Sequence, residues 1–216
     1  MKGIVIVGTN PLAEIAFEYF NSKYEFVNIV AGFSVEKKCV DKEVFMKRMV
    51  VPFEDIEMNF PPSRYSVFIS VGYDNMNDDR TRLYLQAKEK GYDFASYISP
   101  HAFVWDKSKI GENCFIFENN VIQPFVEIGN NCILWSGNHV GHHTKIGDNC
   151  FISSHVVISG ECNIGRNCFF GVNSTVANTL NIGDYCLIGS ATNVVKDCKP
   201  NKVYVGNPAR AIRSSR

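Results

Sequence analysis

No apolar run in this chain approaches the roughly 20 residues needed to cross a bilayer, and the opening MKGIVIVG is too short and too weakly basic for a secretion signal. There is no excess charge either: 22 Lys and Arg balance 22 Asp and Glu, so no basic field points to nucleic acid or an anionic membrane. These absences predict a soluble cytoplasmic protein that binds neither nucleic acid nor membrane. Histidine is scarce, with five in 216 residues, yet three of them, His139, His142 and His143, fall in the stretch GNHVGHHTKIG. Cysteine is not scarce. The eight cysteines need an explanation in a chain with no signal for an oxidising compartment.

Residues 1–98 alternate between strand and helix patterns. KGIVIVG is a buried strand, and PLAEIAFEYFNSK has helical spacing that places Leu12, Ile15, Ala16 and Tyr19 on one face. FVNIVAGFSV and YSVFISVG read as two more strands, NDDRTRLYLQAKEKG as an amphipathic helix closed by Gly91, and YDFASYIS as extended chain. The order implies a small parallel sheet with right-handed crossovers.

Residues 99–216 follow another period. Every sixth residue from Val104 to Val194 is large and apolar, and Gly often follows it, as at Gly111, Gly129, Gly147, Gly165, Gly171 and Gly183. A longer period lies on top: IGENC, IGNNC, IGDNC, IGRNC and IGDYC start 18 residues apart. Three hexads per coil describe a triangular parallel β-helix, a solenoid of five coils and a fraction. Seven cysteines, from Cys114 to Cys198, lie four residues after a hexad aliphatic, a slot shared with Val126, Thr144, Val156, Ser174 and Thr192. They read as small buried hydrophobes. Asn120 and Asn138 fill the same slot and read as a buried pair.

The 18-residue register predicts neighbours. It stacks His142 on Gly160, His155 on Gly137 and Trp135 on Phe117. A histidine over a position without a side chain leaves room for a small acyl group, with the Gly160 N–H in reach of a developing oxyanion. Adjacent histidines on an extended strand point to opposite sides, which makes His142 and His143 poor partners in one metal sphere. A three-histidine zinc site shared between subunits and merely solvated histidines stand as the alternatives. His101 reads as a cap on the prism. Lys196, Lys199, Lys202, Arg210, Arg213 and Arg216 make a basic tail opposed only by Asp197, suited to phosphates or simply solvated.

The [LIV]-G-x-x-[small]-x repeat resembles that of left-handed β-helix acyltransferases. With the small α/β domain before the prism and the closing VYVGNPARAIR, the chain is similar to bacterial nucleotide-sugar N-acetyltransferases acting on bacillosamine-, perosamine- or viosamine-type sugars, and to the sialic acid O-acetyltransferase-like group. The resemblance implies a homotrimer with sites between subunits and acetyl-CoA as co-substrate, with no metal. It implies acetyl transfer to the amino group of a nucleotide-linked amino sugar, of the 4-amino-4,6-dideoxy kind, for surface glycan synthesis. Counting back from Ile146–Gly147, it makes His142 the general base, followed by His143 where relatives carry an acidic residue. Gly160, Gly171, Lys196, Gly206, Pro208 and Arg210 are then the candidates for holding CoA. Gly8, Thr9, Asn10, Gly72, Asn75, Arg80, Trp135, His139 and His155 are the candidates for the sugar nucleotide. The first loop, GTNPLAE, lacks the second Gly and the His of the family's G-x-x-G-H. O-acetylation of a sugar hydroxyl and a non-catalytic scaffold are the competing readings.

Overall fold

A computed structural model describes residues 2–23 and 29–216 and divides them into two units: the described residues up to 72 with 79–96, and 73–78 with 97–216. The sequence boundary at 98/99 is displaced slightly. Tyr97–Ile98 already pairs with Phe115–Ile116 as the first rung of the second unit, and Tyr73–Asp78 joins that unit.

The first unit holds β1 (Gly3–Val7), α1 (Pro11–Lys23), β2 (Val30–Val35), β3 (Val44–Phe45), β4 (Arg48–Pro52), the short α2 (Ile56–Asn59) and β5 (Tyr65–Ile69), with α3 (Asp78–Glu89) after it. The strand order is β3-β4-β2-β1-β5. β1, β2, β4 and β5 are parallel, and only the short β3 runs antiparallel. The core strands Val5, Ile6, Val67, Phe68 and Ile69 are fully buried, as expected for a sheet covered on both faces. α1 has the predicted bounds, but its buried face is Leu12, Ala13, Ala16 and Phe20, with Ile15 and Tyr19 only half-buried. The part of the predicted strand FVNIVAGFSV at 26–28 lies outside the described residues, and the rest is β2. The β3–β4 hairpin had no counterpart in the sequence reading.

The second unit is the expected three-sided solenoid. Two-residue strands at positions 103, 121, 139, 157, 175 and 193 form one side, those at 109, 127, 145, 163 and 181 another, and those at 97, 115, 133, 151, 169 and 187 the third. Every pairing among these strands is parallel and shifts by 18 residues, as in His139↔Val157 and Lys145↔Asn163, and only at the last coil does the shift shorten to 16, as in Leu187↔Val203. The apolar hexad positions point inward. From Ile116 onward they are buried; Val104 and Ile110, on the end coil, are half-buried. All seven solenoid cysteines are buried and free; from Cys114 to Cys186 their thiols donate to carbonyls of the next coil, as Cys132 does to Gly147 O at 3.2 Å, and Cys198 donates to Lys196 O on its own coil.

The corners explain the repeat. One residue in each hexad, from Asn113 through Phe125, His143, Glu161 and Thr179 to Ala191, has φ near +60°. Asn tolerates that left-handed conformation better than most residues, and it stands there at 113, 119, 131, 149, 167 and 173, four of which, 113, 131, 149 and 167, stack at one corner. Those four amides form a buried ladder: Asn113 donates to Asn131 at 2.6 Å, Asn131 to Asn149 at 2.8 Å and Asn149 to Asn167 at 3.2 Å. Asn167 in turn donates to Met76 O at 3.2 Å. A hairpin of Lys202–Val205 and Arg210–Ser214 closes the solenoid.

Candidate functional site

The corner built by Gln123–Phe125, His142–His143, Gly160–Glu161 and Asn178–Thr179 gathers the chemically capable groups. His142 and His143 are both exposed, and both occupy the turn of the corner. The expectation that they point apart is therefore overturned. Alternation holds for extended chain, whereas His143 has φ +59°. The turn brings the two Nδ1 atoms to 3.1 Å with the rings nearly perpendicular. The His142 N–H donates to Gln123 Oε1 at 2.9 Å, and the His143 ring lies on Phe125 with centroids 4.7 Å apart.

The stacking register holds. A Cβ placed on Gly160 would lie 2.9 Å from Cε1 and Nε2 of His142, so the ring occupies the space that a side chain would take. His155 stands over Gly137 in the same way, 2.6 Å from a Cβ there, and Trp135 stacks on Phe117 at 4.4 Å and 10°. The oxyanion role given to Gly160 does not survive, because its N–H already donates to Asn178 Oδ1 at 3.0 Å. Gly160 makes room for the ring and offers no free donor. Asn120 and Asn138 are buried and hold backbone as expected, Asn120 Nδ2 donating to Phe117 O at 2.8 Å and Asn138 Oδ1 accepting from the Val156 N–H at 2.7 Å. His139 lies on the adjoining strand between Val121 and Val157, half-buried. Among the described residues no three His, Cys, Asp or Glu side chains come together as metal ligands.

In the α/β unit, Gly8, Thr9 and Asn10 follow β1 at the carboxyl end of the sheet. β1 lies between β2 and β5, where strand order reverses, the usual position of a ligand crevice in open parallel sheets. Gly8 has φ +135°, and a Cβ there would strike Ser70 O at 2.7 Å, so glycine is required. Asn10 caps α1 by accepting from the Ala13 N–H at 2.9 Å and also donates to Ser70 O at 3.0 Å. Two buried hydroxyls beside this loop, Ser34 Oγ and Ser70 Oγ, have no hydrogen-bond partner among the described residues. Arg80 departs from expectation. It is fully buried, and its guanidinium donates to Gly72 O at 2.8 Å, so it holds the turn after β5 and presents no charge at a surface. Asn75 is exposed, with φ +51°, on the 73–78 segment of the other unit. There Tyr73 packs on Phe151 and Phe169 at 4.9 and 4.7 Å.

The basic tail divides. Lys196, Lys199, Lys202, Arg210 and Arg213 are exposed and have no ion-pair partner among the described residues. Arg216 is engaged: it pairs with Asp78 at 2.6 Å and its guanidinium lies 4.0 Å from the Tyr185 ring centroid. Gly206 and Pro208 lie in the exposed turn of the closing hairpin, where the Asn193 N–H donates to Gly206 O at 3.0 Å. Gly171 is buried, and a Cβ there would meet Ser190 N at 2.5 Å, so the position takes no side chain. Gln123, Phe125 and Asn178 were missed by sequence, although the register that placed Gly160 also places Phe125 under His143 and Asn178 over Gly160.

Residues 107–142 and 143–178 match the family described as bacterial transferase hexapeptide (six repeats). None of the curated protein sequences matches the chain. Several solved structures share its architecture end to end. A histidine-to-asparagine variant of perosamine N-acetyltransferase from Caulobacter crescentus, in complex with CoA and GDP-perosamine, superposes with TM-score 0.89 over 99% of this chain and 98% of its own, at 21% identity. The acetyltransferase domain of PglB from Neisseria gonorrhoeae FA1090 gives 0.86 over 98% and 100%, at 17% identity. WeeI from Acinetobacter baumannii AYE gives 0.64 over 98% and 100%, at 16% identity. The chain therefore has the fold of an α/β unit followed by a left-handed β-helix of hexapeptide repeats. Its resemblance to sugar N-acetyltransferases extends over nearly the whole length.

Proposed function

We propose that the protein transfers the acetyl group of acetyl-CoA to the amino group of a nucleotide-linked amino sugar, with His142 as general base. The observation that carries this is the exposed His142 ring set over the side-chain-free Gly160 on a hexapeptide-repeat corner. The similarity to proteins solved with CoA and GDP-perosamine, one of them a histidine variant, supports the reading.

The chemistry suits these groups. A sugar amine attacks the thioester carbon only as the free base. Its bond to that carbon creates a tetrahedral centre and an ammonium whose extra proton must leave. Histidine ordinarily titrates near pH 6.5, so at neutral pH it is mostly ready to accept that proton. Collapse of the tetrahedral centre expels the CoA thiolate, which takes the proton back from the imidazole. The product is the amide and free CoA, with no acyl-enzyme. Gly8–Asn10 and the unpartnered Ser34 and Ser70 hydroxyls are the groups of the α/β unit assigned to the nucleotide. Arg210 and Lys196 are assigned to CoA phosphates. In this reading the active molecule is a homotrimer, with each site completed by a neighbouring copy.

The test is acetyl-CoA turnover with dTDP-, UDP- and GDP-linked amino sugars beside the corresponding hydroxy sugars. Amine-dependent release of CoA supports N-acetylation. Turnover confined to hydroxy sugars would replace it with O-acetylation, and failure to bind CoA at all would leave a scaffold.

A further inference from the structure

We infer that His143 is a positioning residue for His142, a neutral imidazole that fixes the tautomer of the base and makes the pair carry one proton charge at a time. The inference rests on His142 being the base proposed above, and it concerns what orients it. The Nδ1 atoms of the two rings are 3.1 Å apart, a hydrogen-bond distance that requires one nitrogen to donate and the other to accept. The tautomer that carries the proton on one imidazole nitrogen is set by the bond the other nitrogen makes. Only one of the two arrangements is productive. If His142 Nδ1–H donates to His143 Nδ1, the lone pair of His142 is on Nε2, one of the two ring atoms over Gly160. In the reverse arrangement Nε2 of His142 bears a proton and accepts none.

The geometry around His143 holds its ring in place. Its backbone is held in the left-handed corner by its own N–H donating to Pro124 O at 3.1 Å, and its ring rests on Phe125. The charged and titratable groups on the flanking elements are Glu161 on the coil above, whose N–H donates to His142 O at 2.8 Å, Lys145 and Glu127 on the adjoining side, and His139 on the other. None of these makes an ion pair with either ring among the described residues.

During transfer the amine proton arrives at His142 Nε2. The imidazolium keeps its Nδ1–H on His143 Nδ1, and His143 stays neutral with its proton on Nε2. Protonating His143 as well would set two N–H groups head to head at 3.1 Å, so a second proton must break the pair.

Two substitutions suit the left-handed backbone: His143→Gly removes the ring, and His143→Asp leaves a short acceptor. With histidine-selective ¹⁵N labelling and no substrate, wild-type His142 is expected to carry its proton on Nδ1. In His143→Gly the proton moves to Nε2, and kcat falls by up to about 100-fold, the scale of a misplaced catalytic group, with both KM values unchanged. In His143→Asp the Nδ1 proton and most of kcat return, and the acidic limb of the rate moves to higher pH because a carboxylate stabilises the imidazolium more than a neutral ring does. A wild-type His142 protonated on Nε2, or a His143→Gly enzyme with unchanged kcat and tautomer, overturns the inference. If His142→Asn keeps full turnover, the base assignment fails instead, while the substrate-free spectra still decide the pairing.

Discussion

The imidazole of His142 occupies the space above the α-carbon of Gly160, one coil further along the solenoid. A Cβ there would come within 2.9 Å of Cε1 and Nε2. Gly160 does not have the positive φ that would bar an L side chain, so Gly160→Ala can fold. The ring, being the movable partner, is displaced. The expected outcome is an unchanged thermal transition with kcat lowered by up to about 100-fold, the scale on which an ångström of misplacement acts. Unchanged kcat would show that the ring position over Gly160 has no part in turnover.

The tail residues are expected to separate by role. Arg210→Glu should raise the KM for acetyl-CoA and leave that for the sugar nucleotide, because contacts to a non-reacting part of the donor bind ground and transition states alike. Arg216→Ala should leave both KM values alone. Its partner is Asp78, both side chains are partly exposed, and such a pair is worth about 0–1 kcal/mol, so only a small loss of stability follows. Steady-state kinetics with each substrate varied, beside thermal melts, separates the two.

Burial makes the thiol chemistry predictable. The seven solenoid cysteines are buried and Cys39 is exposed. Burial pushes Cys186 and Cys198 up to about 12, and Cys150 also well above its ordinary value. Native protein should therefore react with a thiol reagent at Cys39 alone, and denatured protein at all eight. Because the folded values are raised, the unfolded chain loses its thiol protons first. The contribution of these groups to stability is complete below the ordinary thiol value of 9.0 and drains away as the pH climbs from there toward 12. Denaturant midpoints measured across that range should fall, and substituting Cys186 by Ala should flatten part of the fall.

The solenoid was legible because its coils pair only with their neighbours, so an 18-residue period in the sequence is also the spatial register. That is why the sequence alone places Gly160, Gly137 and Phe117 under or over their partners. α1 was legible in its bounds and less so in its face. Tyr19 and Phe20 are both aromatic, and only the packing of Phe20 on Phe68, at 5.3 Å, decides which one is buried. The β3–β4 hairpin was not legible: Val44 and Met49 are exposed, and the only buried apolar pair in it, Val50 and Val51, is too short to mark two strands. Arg80 looked like a ligand-binding cation because its use, holding Gly72 O, depends on how the chain turns after β5. The His142–His143 contact was misread for a related reason, since strand alternation was applied to a corner. The clue was present: position 143 shares the hexad place of Asn113, Asn119, Asn131 and Asn149, and recurrent asparagine marks a left-handed turn.

The most direct test of the account is the pH dependence of acetyl-CoA turnover by His142→Asn beside the wild type, with a nucleotide-linked amino sugar as acceptor. The account predicts a loss of about 10²–10⁴ in kcat, the usual size of a general-base contribution. It also predicts an acidic limb present in the wild type and absent from the variant, and an unchanged melting transition, because the core is carried by inward residues such as Ile146 and Ile152. Near-normal turnover by the variant, or wild-type activity lost to a chelator and restored by zinc, would contradict it.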